Sequence, residues 1–260
     1  MPKKIDLFSW SSSFNEEYTT FTLISDYILD REAIKTHYSE DKKRWVTVFH
    51  DPESPKMTKE EEEKAGTDSF IREFGNALER YKKHLIITFV SYFDLMLISI
   101  FESYFIYKPK LLIDSLNNDN ISIKEIIKVI VEFKQHEELL SEIANKASQK
   151  LNTGSIDQRI QKLEKTLDYK FDKIAISNLS YLYKLRNYLV HENTSIEITD
   201  ELLSIIYDTL DFLVLQIYLA LSKNLYDFNS EDKEYFEETV KEAEPPSDIK
   251  LIQKNNLTIN

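Results

Sequence analysis

The chain is 260 residues long, enough for one large domain or two small ones, and 42% of it is apolar, with 15 Phe and 15 Tyr to build a substantial core. A net charge of −12 argues against broad, non-specific nucleic-acid binding, and the absence of cysteine excludes disulfides, thiolate zinc sites and a cysteine nucleophile. Of the three glycines only Gly154 lies beyond residue 75, and no proline falls between Pro109 and Pro245. Tight β-hairpin turns lean on glycine, so an all-α body is predicted.

The start, Met-Pro-Lys-Lys-Ile-Asp, carries no apolar h-region, so no signal peptide is expected and the cytoplasm is the expected compartment. Residues 1–66 read as an N-terminal arm or small subdomain. Tyr18-Thr-Thr-Phe-Thr-Leu-Ile and Trp45-Val-Thr-Val-Phe are β-prone, helix is equally open for Glu16 to His37, and Asp51 to Pro55 reads as a turn. Lys59-Glu-Glu-Glu-Glu-Lys64 is a solvated charge run.

From Asp68 a helical pattern runs to Tyr107, with a bend allowed at Gly75 and a stop at Lys108-Pro109. Its second half is apolar nearly all round. The run from Leu85 to Phe101 falls short of a membrane-spanning length and holds Asp94 at its middle, so a buried core helix is expected and no membrane partner. Thr88, Ser91, Ser99 and Glu102 share a polar stripe, but Asp94 falls on the apolar side, where a carboxylate requires a partner. Ser122-Ile-Lys-Glu125 and Ser155-Ile-Asp-Gln158 fit the capping box, which predicts helices over about 123–150, with a break allowed near Gln135, and over about 156–167. Further helices are predicted over about 173–191 and, after the cap Thr199-Asp-Glu201, over about 200–225. Residues 67–226 thus form the helical domain, and 227–260 an acidic tail, interrupted by Pro245-Pro246, that is mobile or draped over the surface.

The helix predicted to end at His191 stands out. Leu179, Leu182, Leu185 and Leu189 make an apolar face, while Tyr183, Asn187 and His191, four residues apart, make a second row flanked by Arg186 and Val190. Between Lys170 and His191 four cations (Lys170, Lys173, Lys184 and Arg186) face one carboxylate, Asp172, so this helix is locally basic in an acidic chain. The sequence has no Gly-rich phosphate loop, nucleophile elbow, zinc-protease motif or His-Cys cluster, and no metal or cofactor is expected.

Arg186-Asn187-Tyr188-Leu189-Val190-His191 resembles the R-x(4-6)-H signature of the HEPN superfamily, the small α-helical domains of prokaryotic toxins and defence ribonucleases. Asn187 fits the polar residue that usually follows the arginine. The spacing alone also occurs at Arg31–His37 and Arg44–His50, but there Glu32 and Trp45 follow the arginine and no leucine-spaced helix leads in. The resemblance covers roughly residues 68–225. It implies a HEPN-like helical bundle with the motif near the end of one long helix, and a homodimer that brings two motifs into one composite active site. It also implies metal-independent endoribonuclease activity, as a toxin or abortive-infection effector in antiphage defence, with an antitoxin or sensor protein as a further partner. Asp94, in Ser91-Tyr-Phe-Asp94, matches the early-helix acid that supports the arginine in that family. Asn193 stands where some of its toxins carry a tyrosine.

The chemistry suits the residues. Cleavage of RNA by its own 2'-hydroxyl requires a proton removed there, one delivered to the leaving 5'-oxygen, and negative charge stabilised on the phosphate. His191 can make either proton transfer, Arg186 offers a permanently charged fork for phosphate oxygens, and Asn187 can orient the ribose or the imidazole. Lys184, Tyr183 and Tyr188 are the candidate RNA contacts. Each residue also has a purely structural use: Arg186 as an ion-pair partner of Asp94 or Glu192, His191 as a helix C-cap, the tyrosines as packing. The alternative function is a non-catalytic HEPN-like binding module; an acidic decoy that mimics nucleic acid is a third.

Overall fold

A computed structural model describes residues 4–30, 32, 36, 58–111, 136–191, 196–224 and 226–250. Among them every regular element is an α-helix, as the sparse glycine predicts. In chain order these are α1 (Leu7–Leu29), α2 (Lys59–Tyr107), α3 (His136–Leu151), α4 (Ile156–Leu167), α5 (Lys173–His191), α6 (Asp200–Lys223) and α7 (Ser230–Thr239). The protein is all-α.

The chain separates into two compact units. One comprises Met1–Asn15, Ile86–Ser195 and Thr199–Asn260, the other Glu16–Leu85 and Ile196–Ile198. Helices α1 and α2 contribute to both by their ranges, and α2 runs unbroken through residue 66, the expected boundary, and through Gly75.

The larger unit carries the site. Its core is the second half of α2, where Phe89, Phe93, Met96, Leu97, Ile100 and Phe101 are fully buried, together with α6, which is buried nearly all round. Both helices are long and apolar enough to cross a bilayer, yet 50% of the apolar window in α2 and 67% of that in α6 are buried within the protein, as in core helices. Helix α4 begins with the predicted capping box: the Ser155 hydroxyl accepts from Gln158 N, and Ser155 N donates to Gln158 Oε1. Its apolar stripe (Ile156, Ile160, Leu163, Leu167) is buried, and α4 packs on α5, which packs on α6. Thr199 caps α6 as predicted, accepting from Leu202 N. The other capping box, Ser122 to Glu125, lies outside the described residues, as do the turn from Asp51 to Pro55, the run starting at Trp45 and the Arg31–His37 and Arg44–His50 pairs.

Both ends of the described chain fold back onto this unit. The β-prone run at Tyr18 is helical, as part of α1, and Phe14, earlier in that helix, sets its ring edge-on to Phe89 and Tyr92 at centroid distances of 5.9 and 6.1 Å. At the other end, the acidic tail is anchored by apolar residues between its acids: Phe228, Phe236 and Ile249 are buried, and the Tyr218 ring stacks on Phe236 at 4.8 Å. Of the two expected states of the tail, its described part takes the draped one. Within α5, buried Asn178 holds the tail like a strand partner: its amide donates to Ser247 O at 2.8 Å and accepts from Ile249 N at 3.1 Å, while also reaching Thr209 at 3.0 Å.

Asp232, fully buried in the first turn of α7, joins the two ends by accepting from Phe8 N at 2.8 Å, at the start of α1. Desolvation is the largest influence on this carboxyl, and it is pushed up to about 6 despite the backbone amides of Phe8 and Leu7 that favour the charged form. A carboxyl raised above its unfolded value binds a proton more tightly in the folded chain. Its contribution to stability is therefore full below about pH 4 and is lost as pH rises through about 6. Thermal melting of Asp232→Asn against wild type is expected to show their stability difference moving in the variant's favour by about 2–3 kcal/mol between pH 4 and pH 7. A pH-independent difference would remove Asp232 as the source.

Candidate functional site

Helix α5 spans Lys173–His191, as the sequence predicts, and starts where Asp172 accepts from Ile174 N and Ala175 N at 2.8 and 3.0 Å. The leucine face is its inner face: Leu179, Leu182 and Leu185 are buried and Leu189, near the helix end, is half-buried. The second row meets a partner within the same chain. Tyr183 is 9% exposed, its hydroxyl donates to Asp94 Oδ1, and its ring lies beneath the Arg159 guanidinium at 4.8 Å. Burial, reinforced by the Asp94 charge, pushes the Tyr183 phenol far above its ordinary range, so it stays a neutral donor. A ring covered in this way is not presented for stacking on a base.

Asp94 has the partner that its apolar setting demands, but that partner is Arg159 rather than Arg186. Arg159 Nη1 donates to Asp94 Oδ1 at 2.5 Å and to Asn152 Oδ1 at 3.3 Å, and Asn152 returns a bond to the Asp94 carbonyl at 3.3 Å. The sequence reading missed Arg159. Its signal was present: Arg159 sits in the buried stripe of α4, beside Ile156, Ile160 and Leu163, and a cation there needs an anion as much as Asp94 needs a cation. The buried Arg159 side chain still has one atom, Nε, without a hydrogen-bond partner among the described residues.

These groups floor a groove of about 320 Å³ in the larger unit. Helix α5 forms one wall through Ser180, Lys184, Arg186 and Asn187; the turn into α4, at Ser155 to Asp157, forms the other. Arg186 is half-buried and bonds Asn187 Oδ1 at 3.2 Å; Asn187 and Lys184 are exposed. The structure thus brings together Asp94, Tyr183, Lys184, Arg186 and Asn187, and adds Arg159 and Asp157. It leaves out His191. Five residues carry the helix about 7.5 Å along its axis and about 140° around it. His191, one turn beyond Asn187 in the same row, sits exposed at the end of α5 and outside the groove lining, with half-buried Tyr188 and exposed Val190 in the same turn. No group of three metal-ligating side chains occurs among the described residues.

No protein-family model, curated protein or solved structure matches the chain. One chain offers a phosphate-matched fork beside an amide, a lysine two residues before it, and a solvent-facing imidazole past the end of the groove. Proton transfer at a phosphate gripped by Arg186 would need an imidazole reaching back over it, and a second copy of the chain could present one.

Proposed function

We propose that this protein is a metal-independent endoribonuclease of the HEPN type, cleaving RNA by attack of the 2'-hydroxyl on the adjacent phosphorus. The single observation that carries the reading is the pairing of Arg186, Asn187 and Lys184 on one groove wall with an exposed His191 at the end of the same helix. Arg186 and Lys184 hold the phosphate and stabilise its charge, Asn187 orients the ribose or the imidazole, and His191 moves the proton. Because His191 stands outside the groove of its own chain, the proposal includes a homodimer in which two copies complete one cleft, one imidazole as base and the other as acid. A role as a toxin or antiphage effector in the cytoplasm, restrained by an antitoxin or sensor protein, belongs to the same proposal and rests on the sequence resemblance.

The alternative, a non-catalytic binding module, draws on a different observation: Asp94 serves Arg159 and Tyr183, and Arg186 has no carboxylate partner among the described residues. The two separate in one assay. The purified protein incubated with RNA in EDTA is expected to yield 2',3'-cyclic phosphate and 5'-hydroxyl ends, and Arg186→Ala to slow this by about a hundredfold or more through loss of charge stabilisation. A strict metal requirement, or equal rates for the two proteins, sinks the mechanism.

A further inference from the structure

The groove is bipolar along α5. At one end stand Lys184, which has no ionic partner among the described residues, and Arg186, which donates to neutral Asn187. At the other end stands Asp157, whose carboxylate takes the Ser180 hydroxyl on Oδ1 and keeps its second oxygen unengaged among the described residues. The remaining charges in the groove, Asp94 and Arg159, are paired with each other at its base, the Arg159 side chain buried and that of Asp94 half-buried. From Ser180 to Asn187 the wall is about 10 Å long at the helical rise, and Gly154, with a φ of +97°, makes the opposing turn, where a Cβ would strike the Gln158 side chain of the capping box. A ligand that fits must carry an anion at one end and hydrogen-bond donors at the other, around a body that can lie on Val90 and Ile156.

We propose that this groove is a subsite for one nucleotide of the RNA strand, next to the bond that is cut. Its phosphate lies between Lys184 and Arg186, and the exocyclic amine of its base donates to Asp157. The assignment rests on the ribonuclease reading for its substrate class and adds to it a specificity group, Asp157, from outside the motif. It also explains how an acidic protein can hold RNA: the strand is gripped locally rather than by a broad basic surface.

The test is binding of adenosine 3'-monophosphate and of inorganic phosphate to the full chain, measured by calorimetry. The nucleotide is expected to bind at least tenfold more tightly than phosphate. Lys184→Ala should weaken both by about tenfold, whereas Asp157→Asn, which keeps the shape and the helix start, should weaken the nucleotide alone. Uridine 3'-monophosphate, whose base lacks the exocyclic amine, should bind wild type about as weakly as the adenine nucleotide binds Asp157→Asn. Equal binding of nucleotide and phosphate, or an Asp157→Asn variant that binds the nucleotide like wild type while melting at the wild-type temperature, overturns the assignment. RNA cleavage that depends on Arg186 in a protein whose groove variants bind normally would leave the ribonuclease reading standing and remove the subsite. Selective nucleotide binding without cleavage would do the reverse.

Discussion

His191→Ala is expected to lower RNA cleavage in EDTA by about a hundredfold to ten-thousandfold, the range spanned by a positioned general acid or base. The fold should be untouched, because the side chain is exposed at the end of α5 and makes no hydrogen bond among the described residues. Melting temperature within a degree or two of wild type is therefore part of the prediction. The variant should still bind RNA, since Lys184, Arg186 and Asn187 remain in the groove. Added imidazole should restore part of the rate by supplying the missing proton carrier. Mixing His191→Ala with Arg186→Ala gives the strongest form of the test. If each site takes its arginine and histidine from different copies, the mixture regains cleavage that neither variant shows alone. Retained cleavage in His191→Ala would assign the proton transfers elsewhere and leave the binding-module reading in possession of the groove.

The parts of this architecture that were legible in the sequence are those set by local chemistry. Helix α5 has the predicted bounds because its leucine spacing, Asp172 at its start and the polar residues after it act within a few residues of one another. The capping box at Ser155 and the cap at Thr199 are legible for the same reason. What stayed hidden depends on distance in the chain. The apolar setting of Asp94 calls for a partner, but Arg159 is 65 residues away, and nearness in space cannot be read from either position alone. The run at Tyr18 has β-branched and aromatic residues suited to a strand, yet the chain is helical there, with Phe14 and Phe21, two turns apart, both buried. The tail reads as acidic by average, and averaging conceals Phe228, Phe236 and Ile249, whose burial holds it down.

Asp94→Ala is expected to be the most destabilising single change at the groove. It leaves the buried Arg159 side chain with only Asn152 as an acceptor, and it removes the acceptor of the Tyr183 hydroxyl. Stranding a buried charge costs about 3–5 kcal/mol. The Asp94 side chain is 36% exposed, so water entering its place offsets part of that cost and about 2–3 kcal/mol is expected. The double variant Asp94→Ala/Arg159→Leu should be more stable than Asp94→Ala alone, because the stranded cation goes with its partner and leucine suits the stripe of Ile156, Ile160 and Leu163. Chemical denaturation of the four proteins checks this, and additive losses would deny the coupling that the geometry shows. The same variants decide what Asp94 does for Arg186. A carboxylate that tuned the arginine directly would take catalysis with it whether or not Arg159 remained. Here Asp94 braces α2 and α4 against Tyr183, so cleavage by the double variant, assayed well below its melting temperature, should recover toward the wild-type rate along with its stability.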